Sequence, residues 1–271
     1  MIYWLASYPR SGNTWCRAVL SNLMLPAAGE SADIRRLAAP PTAISRDAFD
    51  TEFDCSSSEM TIDEVDRLRP DLYLRLAAAA REPLVIKLHC AYRTASDGRP
   101  IFPHAATAGV ALIVRNPLDV ALSLAPFLSM TLDEAIDWME REDAELSRQH
   151  IGSTPALPQR IGSWSGHIAS WLDASRMRLH LVRYEDLQAD PVAAFGALAN
   201  FLGLDAGPDR IRDAVERSRF DHLQAQELRH SGDARYFRRG QVGEWRDALS
   251  AERRERLIAA HGPMMRRLGY G

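Results

Sequence analysis

Lysine is almost missing from this chain: of 33 basic residues in 271, Lys87 is the one lysine and every other is arginine. An ammonium is a compact, movable point charge that a planar guanidinium does not imitate. The place of Lys87, two residues before His89 at the end of an apolar run, therefore marks that run for chemistry. Cysteine is scarce too. Cys16, Cys55 and Cys90 are an odd number without metal-ligand spacing, which fits buried, reduced thiols better than a disulfide framework or a zinc site. The chain offers no run of about eighteen uncharged apolar residues and no basic region ahead of an apolar segment at its start. No membrane insertion and a cytoplasmic location follow as expectations. Neither sign of charge dominates, since 36 acidic residues against 33 basic leave a net charge of −3. No global field recruits nucleic acid or anionic membrane, and any anion site must be local. Internal repeats and low-complexity tracts are absent.

What is present reads as one domain spanning residues 1–271, with 46% hydrophobic residues supplying a single large core. Short apolar runs at Ile2 to Ala6, Leu84 to Leu88, Val110 to Val114 and Leu179 to Val182 predict strands of a parallel sheet covered on both faces. Between them stand helix starts: Thr61-x-x-Glu64 and Thr131-x-x-Glu134 as capping boxes, Asn116-Pro117 and Asp190-Pro191 as a cap followed by a first-turn proline. The alternation predicts a doubly wound α/β sheet flanked by helices, with ligands at the carboxyl ends of its strands. Residues 26–60 show no clear period and are expected to form a loop or lid beside an acceptor. Residues 150–163 and 229–244 are the other long irregular stretches. The arginine-rich segment from Ser250 to Arg267 predicts an exposed helix with a solvated face.

The first motif is Tyr8-Pro9-Arg10-Ser11-Gly12-Asn13-Thr14-Trp15. Pro9 stops the strand, Gly12 permits the backbone angles of an anion-binding nest, and Asn13 or Thr14 opens a helix whose N–H groups and positive dipole end attract phosphate. The nucleotide-triphosphatase loop Gly-x-x-x-x-Gly-Lys-Ser/Thr is not matched, so ATP or GTP hydrolysis is not expected. The second motif runs from Arg115 to Ser123, Arg-Asn-Pro-Leu-Asp-Val-Ala-Leu-Ser. Its arginine ends a strand, its serine lies about two helical turns on, and a guanidinium fork plus a hydroxyl suits a second phosphate. Lys87 and His89 alternate on a strand and so emerge on one side of the sheet's carboxyl edge. Tyr236 to Trp245 adds a glycine-punctuated loop carrying Arg238, Arg239 and Gly240.

Together these motifs resemble the sulfotransferases, which move a sulfonyl group from 3′-phosphoadenosine 5′-phosphosulfate (PAPS) to an acceptor and release adenosine 3′,5′-bisphosphate (PAP). The resemblance spans Ile2 to Trp245 and implies their P-loop-like fold. Tyr8 to Trp15 is similar to the family's Tyr-Pro-Lys-Ser-Gly-Thr-Thr-Trp loop, with Arg10 in place of the usual lysine, and Arg10, Ser11, Gly12, Asn13, Thr14 and Trp15 are implied cofactor contacts. Arg115 and Ser123 match its 3′-phosphate motif, and Arg238, Arg239 and the Gly240 amide match its closing loop Arg-Lys-Gly-x-x-Gly-Asp-Trp. Trp15 with Phe220 corresponds to the aromatic pair around adenine, and Tyr184 and Ser218 to further adenine contacts. The resemblance makes His89 the base that activates an acceptor hydroxyl and places Lys87 and Arg10 on the transferring group, without a metal. The segments Gly162-Ser163-Trp164, Ser170-Trp171-Leu172 and Val182 to Pro191 look most like bacterial members, including those that sulfate natural products. The acceptor is expected to be a small-molecule hydroxyl: a natural product, sugar, phenol or lipid alcohol. The segment that animal cytosolic members use for dimer contact is not present, so that dimer is not expected. Two other readings stay open from the sequence: a nucleotide or small-molecule kinase sharing the sheet and phosphate loop, and a non-catalytic nucleotide-binding protein.

Overall fold

The computed structural model describes residues 1–25, 31–34, 37, 45–146, 156–173, 176–231, 237 and 239–271. Its principal sheet has the order β2-β1-β3-β6, built from β1 (Ile2–Ser7), β2 (Leu84–Leu88), β3 (Thr107–Val114) and β6 (Leu179–Arg183). β1 and β2 pair in parallel, Ile2 against Leu84 through to Ala6 against Leu88, with Lys87 opposite Leu5. All six residues of β1 are buried, and so are the last six of β3, whereas β2 and β6 are mostly half-buried. Central strands of a sheet covered on both faces need apolar residues at every position, and edge strands do not. The order reverses direction between β1 and β3, and in a doubly wound sheet the loops leaving such a switch point form the ligand crevice. The loops leaving these two strands carry the first and second motifs.

Two compact units form: Met1–Tyr8, Ala39–Leu112 and Arg141–His180 in the first, Pro9–Ala38, Ile113–Glu140 and Leu181–Gly271 in the second. The first unit holds α2 (Arg46–Phe53), α3 (Ile62–Ala79), the short antiparallel pair β4 (Glu145–Leu146) and β5 (Gln159–Arg160), and α6 (Trp164–Leu172). The Thr61 hydroxyl accepts the Glu64 N–H and the Glu64 carboxylate accepts the Thr61 N–H, closing the expected capping box on α3. Trp4, Tyr73, Phe102 and Trp171 form an aromatic core, with Trp4 edge-on to both Tyr73 and Phe102.

The second unit holds α1 (Asn13–Met24), α4 (Pro117–Phe127), α5 (Leu132–Glu140), α7 (Tyr184–Ala189), α8 (Pro191–Phe201), α9 (Pro208–Arg217), α10 (Phe220–Ser231), α11 (Trp245–Ala248) and α12 (Ala251–Arg267). α1 packs on α8 and α9, while α4 packs on α5, α11 and α12. The side chains of Asn116 and Asp190 cap α4 and α8, each ahead of a first-turn proline.

Four expectations are corrected. Part of 26–60 is helical: α2 is capped by Ser45 and buries Phe49, a helix too short to show a period, while 26–30, 35–36 and 38–44 lie outside the described residues. Within 229–244 the first residues continue α10, and within 150–163 residues Gln159–Arg160 form β5. α12 is more than a solvated face. It buries Leu257, His261, Met264 and Met265, and its Arg253 and Arg256 reach Asp133, Asp137 and Glu140 of α5.

Candidate active site

In the second unit, the loop after β1 turns on two left-handed residues, Arg10 at φ 70° and Gly12 at φ 104°. Gly12 is also the N-cap of α1, and the first helical bond runs from the Cys16 N–H to its carbonyl. A Cβ on Gly12 would lie 2.6 Å from the Tyr184 ring, so this turn tolerates no side chain. The Ser11 hydroxyl is fully buried without a hydrogen-bond partner. Buried donors on a helix-opening nest suit an anion.

Three predicted phosphate ligands meet at this loop. Arg10 donates from Nε to the Ser123 hydroxyl at 2.9 Å, and its guanidinium lies 4.9 Å from the centre of the Phe127 ring. Arg115, nearly buried, donates from Nη1 to the Arg10 carbonyl at 3.4 Å and from Nη2 to the Gln241 carbonyl at 2.8 Å. Its Nε is buried without a partner, and each Nη keeps a second hydrogen for an anion.

The Gly240 loop is held to α4 by Asp119, whose carboxylate accepts the Gly243 N–H at 2.8 Å and the Trp245 N–H at 3.1 Å. Gly240 has φ 65° and packs so tightly on Phe220 that it has no room for a Cβ. Arg239 pairs with Glu244 at 2.8 Å, and Arg238 lies outside the described residues. Asp119 was present in the second motif without an assigned task; the fixed spacing from Arg115 was its signal.

The base contacts divide. Trp15 and Phe220 both pack against one small cluster of Ala18, Ala32, Leu37, Leu223 and Phe237. Trp15 Nε1 donates to the Ser218 carbonyl at 3.1 Å. The Ser218 hydroxyl is buried, donates to the Ala214 carbonyl and accepts from Asn22, both at 2.8 Å, so it is engaged within the protein. Tyr184 lies against Gly12, its ring 4.3 Å from the Arg115 guanidinium, and its hydroxyl donates to the Gly240 carbonyl at 2.8 Å. It braces both loops from behind.

In the first unit, His89 stands one residue past the β1–β2 ladder. Its Nδ1 lies 2.8 Å from the Ser7 carbonyl and 3.1 Å from the Ser7 hydroxyl. A carbonyl only accepts, so Nδ1 carries the hydrogen and the neutral ring keeps its lone pair on Nε2, the atom a base would use. Ser7 is the residue from which the chain enters the phosphate loop. Lys87 is half-buried on β2, two residues earlier. Around His89, Gln159 Oε1 accepts the His89 N–H at 3.1 Å and His167 Nε2 donates to the His89 carbonyl at 3.1 Å. Neither partner was singled out from the sequence. Among the described residues, no group of three or more His, Cys, Asp or Glu side chains is placed to hold a metal ion, and no helix is long and apolar enough to cross a membrane.

Residues 3–269 match the sulfotransferase domain family. Flavonol 3-sulfotransferase of Flaveria bidentis is 25% identical over 273 residues, covering 93% of this chain and 78% of that protein. Sulfotransferase 1E1 of Cavia porcellus is 24% identical over 254 residues, covering 90% and 76%. The amine sulfotransferase of Oryctolagus cuniculus matches at 23% over 165 residues, about half of each chain. Among solved structures, a mouse sulfotransferase complexed with PAP superposes with a TM-score of 0.61 at 18% identity, covering 98% of this chain and 84% of that one. Retinol dehydratase in complex with androsterone and PAP gives 0.62 at 16% identity, covering 97% and 80%. These two share the fold. A parallel α/β sheet, a glycine-opened anion loop at its switch point and a family match along nearly the whole chain lead to one conclusion: this protein belongs to the sulfotransferase family and is a sulfonyl-transferring enzyme.

Proposed function

We propose that this sulfotransferase takes its sulfonyl group from PAPS, passes it to the hydroxyl of a small-molecule acceptor and releases PAP. The observation that carries this reading is the convergence at Arg115: one guanidinium joins the Arg10 loop to the Gly240 loop, with buried, unpartnered donors at Ser11 and at its own Nε. A nucleotide phosphorylated at both its 5′ and 3′ positions answers two such loops, and a nucleoside diphosphate answers one.

In this reading Ser11, Gly12, Asn13 and Thr14 receive the 5′ side, Arg115, Ser123, Arg238, Arg239 and Gly240 receive the 3′-phosphate, and Trp15 and Phe220 hold the adenine. Tyr184 and Ser218 act behind that surface, through Gly240 and Trp15. His89 Nε2 takes the proton of the acceptor hydroxyl, the oxygen attacks sulfur, and the bond from sulfur to the bridging oxygen breaks with its electron pair leaving on PAP. Lys87 and Arg10 offset the charge that builds on the sulfonyl and bridging oxygens. Arg10 stays protonated throughout, so it stabilises the bridging oxygen without donating a proton to it. The name of the flavonol 3-sulfotransferase supports a phenolic or alcoholic acceptor, that of the amine sulfotransferase points to an amine, and the bacterial-like segments support a natural product modified in the cytoplasm.

Calorimetric titration with PAP, beside ADP with Mg²⁺, tests the donor. PAP binds tightly, ADP much more weakly, and Arg115→Ala erases the preference. Equal binding of ADP with Mg²⁺ would overturn the 3′-phosphate assignment.

A further inference from the structure

We propose that His167 is a positioning residue for the base: its Nε2–H bond to the His89 carbonyl fixes the main chain that presents the His89 ring. The inference rests on the reading of His89 as the base. β2 ends at Leu88, and the next peptide groups, those of His89, bond to side chains from outside the sheet, the N–H to Gln159 and the C=O to His167. The next residues are held the same way. Trp171 Nε1 donates to the Cys90 carbonyl at 3.0 Å, the Ala91 N–H reaches the Arg160 carbonyl at 2.9 Å, and the Ser170 hydroxyl accepts the Tyr92 N–H at 2.9 Å.

His167 and Trp171 are four residues apart on α6 and so share one face of it. That face supplies the two N–H donors that hold the chain at residues 89 and 90.

The chemistry of the ring supports this task over simple packing. His167 is fully buried, edge-on to Tyr8 at 5.6 Å, and its Nδ1 has no hydrogen-bond partner. An apolar side chain would pack there without leaving a lone pair unpaired, so the ring's distinctive contribution is the Nε2 donor. Burial holds its pKa down to about 4, and the neutral ring keeps that one hydrogen on Nε2 across the working range. The His89 ring is bonded to the Ser7 carbonyl, and a shift of its main chain would break that bond and with it the tautomer that leaves Nε2 unprotonated.

The experiment compares His167→Leu with His167→Gln, whose amide nitrogen replaces Nε2 as a donor. Three readouts are taken on each: the tautomer of His89 by ring-nitrogen NMR, PAP affinity by calorimetry, and transfer from PAPS to 2-naphthol. In His167→Leu we expect a mixed His89 tautomer, PAP affinity within about twofold, and transfer slowed on the order of a hundredfold. His167→Gln recovers the Nδ1–H form and most of the rate. A folded His167→Leu that keeps the Nδ1–H tautomer overturns the inference. His89→Ala is run alongside: if it transfers as fast as the native enzyme, the base reading fails, and the tautomer alone decides the role of His167.

Discussion

Gly12 shows how a single hydrogen atom in place of a side chain holds a binding site together. Its positive φ and its contact with the Tyr184 ring leave no space for a methyl group. Gly12→Ala therefore combines strain in the left-handed region with a clash against a buried ring, at a cost of about 1–3 kcal/mol. Chemical denaturation should show that loss, and PAP titration should show affinity falling at least roughly tenfold as the loop is pushed out of place. His167 yields a second expectation at this scale. Its unfolded-state pKa is the ordinary histidine value of 6.5, and burial lowers the folded value to about 4. Between those limits the unfolded chain binds a proton that the folded chain refuses, so acid favours unfolding. The stability tied to the neutral ring is complete above about pH 6.5 and falls by roughly 2 kcal/mol by pH 5. Urea denaturation at pH 7 and pH 5 should show that part of the slope vanish in His167→Gln. The motif residues were legible singly, because Gly12, Arg115 and Ser123 carry their chemistry in their spacing. Gln159 and His167 were not, since their work is to bond a peptide 70 and 78 positions away, and nothing local in the sequence records such a pairing.

Among elements, α4 does the most varied work. Its N-cap Asn116 follows the strand that delivers Arg115, its first turns carry Asp119 and Ser123, and its end presents Phe127 to Arg10. Asp119 couples this helix to the loop of residues 240–245 by two charge-assisted bonds, a class worth about 1.5–3 kcal/mol each. Asp119→Asn keeps one acceptor and turns an N–H toward an N–H at the other position. PAP should dissociate roughly tenfold faster from this variant, measured by stopped-flow displacement, because the loop that carries Gly240 and Gln241 loses half its anchor. The four strands of the principal sheet and the helices led by Pro117 and Pro191 were readable from the chain since each is declared locally, by a continuous apolar run or a cap followed by proline. α2 has two aromatics, Phe49 and Phe53, in eight residues, too little period to recognise. α12 reads as solvated from its five arginines in seventeen residues, yet Arg253 and Arg256 pair with acidic α5 while Leu257, Met264 and Met265 are buried.

At the scale of the whole molecule, a net charge of −3 surrounds a site that gathers arginines around two anion loops. Cations gathered around an empty anion site repel one another, so a doubly phosphorylated nucleotide should bind the folded chain alone and shift its unfolding equilibrium. At a hundredfold excess over its dissociation constant, PAP adds about 2.7 kcal/mol. For a chain of this size that raises the melting temperature by roughly 5–10 °C in a thermal-shift measurement. Arg115→Ala at the same concentration should show almost no rise, and inorganic sulfate at matched ionic strength should give a small fraction of it.

Lys87, alone of its kind and half-buried on β2 opposite Leu5, has a practical consequence. Reductive methylation with isotope-enriched formaldehyde places a label on one side chain of the entire protein, apart from the terminal amine. Its methyl resonance would appear uncrowded at any stage of the reaction, so a chain this poor in ammonium groups carries its own reporter on the strand that leads to His89.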